Sequence, residues 1–281
     1  MARLASIALS FALSAAAASA AGGSAAPPLR RDGVPVARAP AGQLRREYAR
    51  VLRDGYPWTD FPASYVKKAL ADPKNWTAEG LVTPVKDQGP HGYCGTFGRV
   101  GAAEGQFALR KGGPLTSFSE EELVDCIGWD QDQFSYFAPN GFMTTKDYPY
   151  NETDYPDSDP PVPGNPCRYD KSKVVAGTPG GAFTNFTGGA PSEDQLVAFV
   201  HHNGPTQTGI DADVFGLRKA GCEATGDCWI DASMCAKVAG KDIDHSILLV
   251  GYGTDPVKGD YWFVPPCIHG ASRDAAEATT H

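Results

Sequence analysis

Residues Trp76 to Cys94 read WTAEGLVTPVKDQGPHGYC, which places Gln88 six residues before Cys94. From Cys94 to about Lys111 the apolar side chains recur at helical spacing, so Cys94 is predicted to open a helix. A helix amino terminus stabilises a negatively charged thiolate through its dipole and its free amide groups. The segment therefore favours a nucleophilic cysteine at position 94, with a buried inert thiol as the alternative.

This predicted helix has little stability of its own. It contains four glycines, which lower its intrinsic helix propensity: Gly95, Gly98, Gly101 and Gly105. Tertiary packing must therefore hold it in place.

Three segments of the chain resemble the papain-like cysteine peptidases. They are the segment quoted above, SEEELVDC at 119–126 and DHSILLVGYG at 244–253. The resemblance covers roughly residues 70 to 264. It implies an α+β, papain-like two-lobe fold, with a helical left lobe, a β-rich right lobe and the active cleft between them.

Local signals agree with an order of helices followed by strands. Ser119 with Glu122, and Ser192 with Gln195, form capping boxes that begin two further helices. After Gly204, three segments are predicted as buried or half-buried strands, TQTGI, SILLVGYG and DYWFV.

The catalytic partner of a thiolate is a histidine that the fold brings close to it. His245 is the best candidate, because it follows Cys94 by 151 residues, near the roughly 130 to 150 residue separation of the family. Gln88 is expected to hold the oxyanion of the tetrahedral intermediate beside the backbone N–H of Cys94. The alternatives are a core histidine at 245 and a polar turn residue at 88.

The flanks of the nucleophile depart from the family pattern. The usual Cys-Gly-Ser-Cys-Trp is here HGYCG at 91–95, without the first cysteine and the tryptophan. The glycine-rich loop that carries the partner of that first cysteine, and that binds the substrate backbone, is also missing. We expect Gly92, Gly209 and Asp244 to contact substrate, but the subsite specificity does not follow from the sequence.

The resemblance implies a disulfide between Cys126 and Cys167, whose flanks match a pair of the family. Four other cysteines follow: Cys222, Cys228, Cys235 and Cys267. A pair between Cys222 and Cys228 is plausible, and the pairing of the others stays open. A zinc site is the competing interpretation of this cluster, although no histidine stands at ligand spacing. We expect no metal site.

The resemblance ends abruptly after Val264. The chain continues PPCIH at 265–269, so Pro266 takes the place of the asparagine that orients the imidazole in the family. Proline has neither a side-chain amide nor a backbone donor. The right lobe is therefore expected to be incomplete, with residues 265–281 as an unmatched polar tail. The change is more typical of a shifted reading frame or an unspliced intron than of gradual divergence, and a truncated but genuine product is the alternative.

The amino-terminal residues indicate the secretory route. Residues 1–20 combine Arg3, a short apolar stretch and the small residues Ala18-Ser19-Ala20, a pattern typical of a signal peptide. Glycosylation acceptor patterns occur at Asn75, Asn151 and Asn185. We therefore expect a secreted or lysosomal or vacuolar glycoprotein without a membrane span.

The net charge of −8 is unevenly distributed. Residues 1–59 carry eight arginines against Asp32, Glu47 and Asp54, so a basic leader precedes an acidic body. Within it, QLRREYARVL at 43–52 has the spacing of a short amphipathic helix. We expect residues 21–65 to be a short propeptide, held partly by charge, or a linker, and residues 66–264 to be the peptidase domain.

Two function classes remain. The first is a papain-like cysteine-type peptidase with Cys94 as nucleophile, His245 as acid and base, and Gln88 in the oxyanion hole, its activity in doubt because of Pro266. The second is a catalytically impaired papain-like module that binds peptides. The expected partners are protein or peptide substrates, the chain's own propeptide and peptidase inhibitors. No phosphate loop, basic aromatic patch or dinucleotide motif occurs, so neither nucleic acid nor an organic cofactor is expected.

Overall fold

A computed structural model describes residues 61–89, 91–111, 114–128, 133–151, 165–178, 192–216 and 244–264, with Ile230, Met234 and Lys237. Its helices are α1 (Ala63–Ala71), α2 (Cys94–Lys111), α3 (Glu120–Cys126), α4 (Gln133–Asn140), α5 (Glu193–Asn203) and α6 (Asp213–Gly216), with a 3₁₀ turn at Lys171–Lys173. Its strands are β1 (Lys74–Asn75), β2 (Thr206–Ile210), β3 (His245–Leu249), β4 (Gly251–Asp255) and β5 (Gly259–Phe263).

The strands form two antiparallel sheets. One has the order β1-β4-β5 and the other pairs β2 with β3. Long helices come first in the chain and most of the strands last, so the prediction of an α+β fold is confirmed. No helix in the described part of the chain has the length and the apolar content that a bilayer crossing requires.

The segment predicted as one strand, SILLVGYG, is divided at Val250. The N–H of Val250 donates to the carbonyl of Phe263, and its carbonyl accepts from the N–H of Trp76. Gly251 then comes so close to β1 that an added Cβ would overlap the carbonyl oxygen of Lys74. The chain therefore leaves one sheet and enters the other at this point, which local periodicity does not reveal.

The helix α2 is held by close packing against β2 and β3, as expected from its glycines. An added Cβ at Gly98 would lie 2.8 Å from Cγ of Gln207, and one at Gly101 would lie 3.1 Å from Cδ2 of Leu248. The glycines thus weaken the isolated helix but allow its backbone to approach the strands. This contact fixes the first turn of α2 relative to the start of β3.

Both predicted capping serines are present, but the side chains of Glu122 and Gln195 bond Met143 and Phe61, so neither capping box is complete. Oγ of Ser119 accepts a hydrogen bond from the N–H of Glu122 at 3.0 Å, and Oγ of Ser192 accepts from that of Gln195 at 3.3 Å. The disulfide that the resemblance implies is also present, and it joins Cys126, at the end of α3, to Cys167.

Two apolar clusters make up most of the described core. The first joins α1, α5, β3 and β4 through residues such as Ala69, Trp76, Leu196, Phe199, Val200 and Leu249. The second joins α2, α3 and α4 through residues such as Val100, Phe107, Phe118, Leu123, Phe137 and Phe142. Because α2 contributes Ala108 to the first cluster and Val100 to the second, it is packed on both sides.

Helix α1 was not predicted from the sequence. This helix crosses the boundary expected at residues 65 and 66 and packs against α5, with Ala69 fully buried. Phe61, two residues before this helix, is also held, because its N–H donates to Oε1 of Gln195 at 2.6 Å. Residues from Phe61 onward therefore pack with the body of the protein.

Several sequence predictions lie outside the described residues. They are the signal peptide at 1–20, the leader to residue 60 with its helix at 43–52, Asn185, the cysteines 222, 228, 235 and 267, and the tail at 265–281 with Pro266.

Candidate active site

Cys94 is the first residue of α2 and is a free, half-buried thiol. The residue before it, Tyr93, is buried against Phe97 and Val124. Its carbonyl accepts a hydrogen bond from the N–H of Phe97 at 3.1 Å. A large buried side chain immediately before Cys94 thus fixes where the helix begins.

The start of β3 lies beside Cys94. The backbone N–H of Ser246 donates to Sγ of Cys94 at an N···S distance of 3.4 Å, although the two residues are 152 positions apart. A backbone N–H donor stabilises a negatively charged sulfur more than a neutral one. The contact also brings the backbone at the start of β3, whose first residue is His245, to the thiol.

The imidazole of His245 is in edge-on contact with Phe215 of α6. The ring centroids are 5.9 Å apart and the ring planes are inclined by 86°. This contact comes from the segment that follows β2, whose last residue, Ile210, pairs with His245. An aromatic ring from α6 therefore packs against the imidazole of His245.

Gln88 is buried in the loop before Cys94. Its Nε2 donates to the backbone carbonyl of His91 at 2.5 Å, and the backbone carbonyl of Gln88 accepts from the hydroxyl of Tyr150 at 2.7 Å. Its Oε1 is buried and has no partner among the described residues. The amide is thus fixed close to the first turn of α2, and one of its two hydrogens is taken by His91.

The three expected substrate contacts occupy different parts of this region. Gly92 is exposed, and an added Cβ there would meet no atom within 4 Å. Gly209 is paired with Ser246 across the β2–β3 ladder. Oδ1 of Asp244 accepts from the N–H of Ala212 at 2.8 Å and so fastens the residue before His245 to the end of β2.

Two polar residues near the nucleophile were not predicted. Nη1 of Arg99 would lie 3.3 Å from a Cβ added at Gly95, where the family pattern has a tryptophan, and it donates to Oε1 of Gln133 at 2.9 Å. Nε2 of Gln207 donates to Oγ of Ser246 at 2.8 Å. The position of Arg99 beside residue 95 could have been inferred from the i, i+4 spacing of the two residues on a helix. Gln207 depends on tertiary contact and leaves no local signal.

Lys86 forms a buried cluster of charges with Glu104 of α2 and Glu120 of α3. Nζ of Lys86 contacts the carboxylates of Glu104 at 2.5 Å and Glu120 at 2.6 Å. Burial lowers the pKa of Lys86, but the attraction of the two carboxylates outweighs it, so this pKa lies above its ordinary value. Burial raises the pKa of Glu120 to about 7, against the opposing attraction of Lys86.

Burial also acts on Tyr93, with Glu121 and Asp125 adding to the effect. Together they raise the pKa of Tyr93 to about 12, so its phenol stays neutral beside the nucleophile. Within the described ranges no group of three or more histidine, cysteine, aspartate or glutamate side chains could hold a metal ion. The proposed cysteine cluster is not among these residues.

Comparison with known proteins identifies the family. A sequence profile described as papain family cysteine protease matches residues 70–265. A cathepsin L-like protein of Caenorhabditis elegans is 37% identical over 208 residues, which are 69% of this chain and 54% of that protein. Digestive cysteine proteinase 2 of Homarus americanus is 34% identical over 236 residues, 78% of this chain and 65% of that protein.

A solved structure, the digestive procathepsin L 3 of Tenebrio molitor larval midgut, covers 80% of this chain and 77% of its own, with 24% identity and a TM-score of 0.49. The chain spans about half to two thirds of the length of the curated relatives named above. The profile match covers most of this sequence, including Gln88, Cys94 and His245. The chain belongs to the papain family of cysteine proteases.

Proposed function

We propose that this chain hydrolyses peptide bonds through an acyl-enzyme on Cys94. The observation that carries the proposal is the hydrogen bond from the N–H of Ser246 to Sγ of Cys94, which joins the start of α2 to the strand that begins with His245. A half-buried thiol at a helix amino terminus, with a histidine at the start of the adjoining strand, supplies the two side chains that a nucleophile and its base require.

The reaction proceeds in two steps. In the first, the Cys94 thiolate attacks the peptide carbonyl carbon, the oxyanion accepts hydrogen bonds from Nε2 of Gln88 and the N–H of Cys94, and the His245 imidazolium protonates the leaving amine. In the second, neutral His245 takes a proton from water, which attacks the thioester carbon. The C–S bond then breaks, the carboxylic acid product leaves, and the Cys94 thiolate and the protonated His245 are restored.

A thiol-directed peptidyl probe tests this proposal. We expect it to label Cys94, and the labelling to be lost in Cys94→Ala and strongly reduced in His245→Ala. Hydrolysis of a fluorogenic peptide should follow the same pattern. Full turnover by Cys94→Ala would exclude the mechanism. A folded protein whose Cys94 is not labelled would instead support a papain-like module that binds peptides without cleaving them.

We further propose that the protein enters the secretory pathway, as a secreted or lysosomal enzyme, with the basic leader as its propeptide. The signal-peptide pattern, the disulfide between Cys126 and Cys167 and the glycosylation patterns support this route. A chain without residues 21–60 tests the leader. It should show higher activity at neutral pH than the full chain, with a smaller difference at acidic pH, where carboxylates of the body become protonated. Equal activity at both pH values would exclude an inhibitory leader.

A further inference from the structure

Gln207 of β2 and Ser246 of β3 form a hydrogen-bonded pair on the side of the ladder that faces α2. Nε2 of Gln207 donates to Oγ of Ser246 at 2.8 Å, and the N–H of Ser246 donates to Sγ of Cys94 at 3.4 Å. Both side chains point from the β2–β3 ladder toward α2, where Gly98 leaves room for them. Gln207 is therefore connected to the thiol of Cys94 through one intervening residue, Ser246.

The register of the ladder explains why such a bond matters. The pair between Ile210 and His245 is the last of the β2–β3 ladder, so His245 and Ser246 lie at its end. Strand ends have fewer backbone bonds to hold them than strand centres. The side chain of Gln207, the second residue of β2, supplies an additional bond at this place by reaching diagonally across the ladder to Ser246.

We propose that Gln207 is a positioning residue for Cys94 and His245, acting through Ser246. Its hydrogen bond holds the hydroxyl of Ser246 against β2, which keeps the N–H of Ser246 directed at Sγ of Cys94 and fixes the backbone from which the imidazole of His245 extends. This inference rests on the proposed peptidase function. It assigns Gln207 no contact with substrate.

The neighbouring residue Thr208 provides a matched control. It points to the opposite face of β2, is buried, and its hydroxyl has no hydrogen-bond partner among the described residues. Replacing Thr208 by valine alters the neighbouring residue of β2 but removes no bond near the thiol. A general disturbance of the strand would affect both variants.

The experiment compares the full chain with Gln207→Ala, Ser246→Ala, the double variant and Thr208→Val. Three quantities are measured: kcat and KM on a fluorogenic peptide, the rate of Cys94 alkylation by iodoacetamide at about pH 6 and about pH 9, followed on the Cys94 peptide by mass spectrometry, and the melting temperature. Alkylation reports on the thiolate without requiring peptide turnover.

We expect Gln207→Ala to lower kcat by about tenfold to 10²-fold with KM nearly unchanged, because a small misplacement of reacting groups costs this much. The ratio of the alkylation rates at low and high pH should fall in the same variant. Ser246→Ala should have a similar effect, and the double variant should be no worse than either single one, because the two residues act through one bond. Thr208→Val should match the unmodified chain.

The outcomes separate this inference from the proposed function. If Gln207→Ala and Ser246→Ala keep the melting temperature, kcat and alkylation ratio of the unmodified chain, the positioning role is excluded while peptidase activity stands. If the unmodified chain hydrolyses no peptide but Gln207→Ala still changes the alkylation ratio, the positioning role stands and the peptidase proposal fails. Equal losses in Thr208→Val and Gln207→Ala would show a merely structural effect and overturn the inference.

Discussion

Gly105 of α2 is in direct contact with Pro205, the residue before β2. A Cβ added at Gly105 would lie 2.5 Å from Cγ of Pro205 and 2.7 Å from the carbonyl oxygen of Leu81. One of these neighbours is a rigid ring and the other is backbone, so neither yields easily. The close approach of α2 to the strands, and with it the position of Cys94, depends on the absence of a side chain at residue 105.

We therefore expect Gly105→Ala to destabilise the protein. Overpacking of a core costs about 1–3 kcal/mol, which outweighs the gain of up to about 1 kcal/mol in helix propensity. Chemical denaturation measures the change. Gly92→Ala is the control, because an added Cβ there meets no atom within 4 Å. Unchanged stability of Gly105→Ala would show that α2 is not held by this contact.

Lys86 neutralises two buried carboxylates, and we expect Lys86→Met to be strongly destabilising. Glu104 and Glu120 are almost completely inaccessible to solvent, and Nζ of Lys86 contacts both. Removing the cation leaves two adjacent buried carboxylates without a positive charge, which costs about 3–5 kcal/mol. Denaturant unfolding at neutral pH should show this loss. A loss below about 1 kcal/mol would mean that the pair contributes little.

The same variant should have a characteristic pH dependence. The pKa of Glu120 is raised to about 7 in the folded chain, even with Lys86 present, against an ordinary value of 4.5. Without Lys86 this pKa rises further, so the folded state binds more protons than the unfolded state at pH 5 to 7. Stability of Lys86→Met relative to the unmodified chain should therefore improve as the pH falls. Glu120→Gln in the same background should restore part of the stability at neutral pH.

Elements of the fold that depend on neighbouring residues were predicted from the sequence, whereas those that depend on tertiary contact were not. Helix α2 and the caps at Ser119 and Ser192 were predicted correctly, because apolar spacing and capping side chains act within a few residues. The break at Val250 was not predicted. The chain passes from one sheet to the other at this residue, but Val250 is as apolar as the residues before it, so the local pattern gives no sign of the change. Helix α1 was missed because its stability comes from burial against α5.

The candidate site divides in the same way. Gln88, Cys94 and His245 were proposed from motifs, and the structure describes Gln88 in the loop before α2 and the start of β3 beside Sγ of Cys94. Gln207 could not be identified from sequence, because its side chain reaches Ser246 diagonally across the β2–β3 ladder, whose register pairs Ser246 with Gly209. Residues that act through a second side chain are thus visible only once the strands are paired.

Gln88 should affect the acyl step more than the thiol itself. We expect Gln88→Ala to lower kcat by roughly 10²-fold, the usual effect of losing one oxyanion donor. Gln88→Glu should be lower still, because it places a negative charge where the oxyanion forms. Alkylation of Cys94 by iodoacetamide forms no oxyanion, so its rate should change little. A parallel loss of alkylation would assign Gln88 to the shape of the loop rather than to the transition state.

His201 of α5 helps to attach α1 to the body of the protein. Nδ1 of His201 lies 2.8 Å from the hydroxyl of Tyr252, which donates to the carbonyl of Ala69 at 2.7 Å. The hydroxyl hydrogen is used in that bond, so Nδ1 of His201 must be the donor to Tyr252. Neutral His201 therefore belongs to the hydrogen-bond chain that ends on α1.

Protonation of His201 opposes this arrangement. Burial lowers the pKa of His201 to about 3, with the positive charges of His202, Lys74 and Lys68 adding to the effect and Asp72 opposing it. A detached α1 would expose His201 and return its pKa toward 6.5. The detached state then binds more protons below pH 6.5, so attachment weakens as the pH falls, by about 2 kcal/mol at pH 5.

Hydrogen exchange of residues 63–71, corrected for the intrinsic rate, measures this attachment at pH 7 and pH 5. We expect protection to fall at pH 5 in the unmodified chain and to remain nearly constant in His201→Asn, whose amide can donate to Tyr252 but does not titrate. His202 has its own lowered pKa of about 4 and faces Tyr65 of α1, so His202→Asn should remove part of the same dependence. Equal pH dependence in the unmodified chain and in both variants would show that α1 is held without regard to the charge of these histidines.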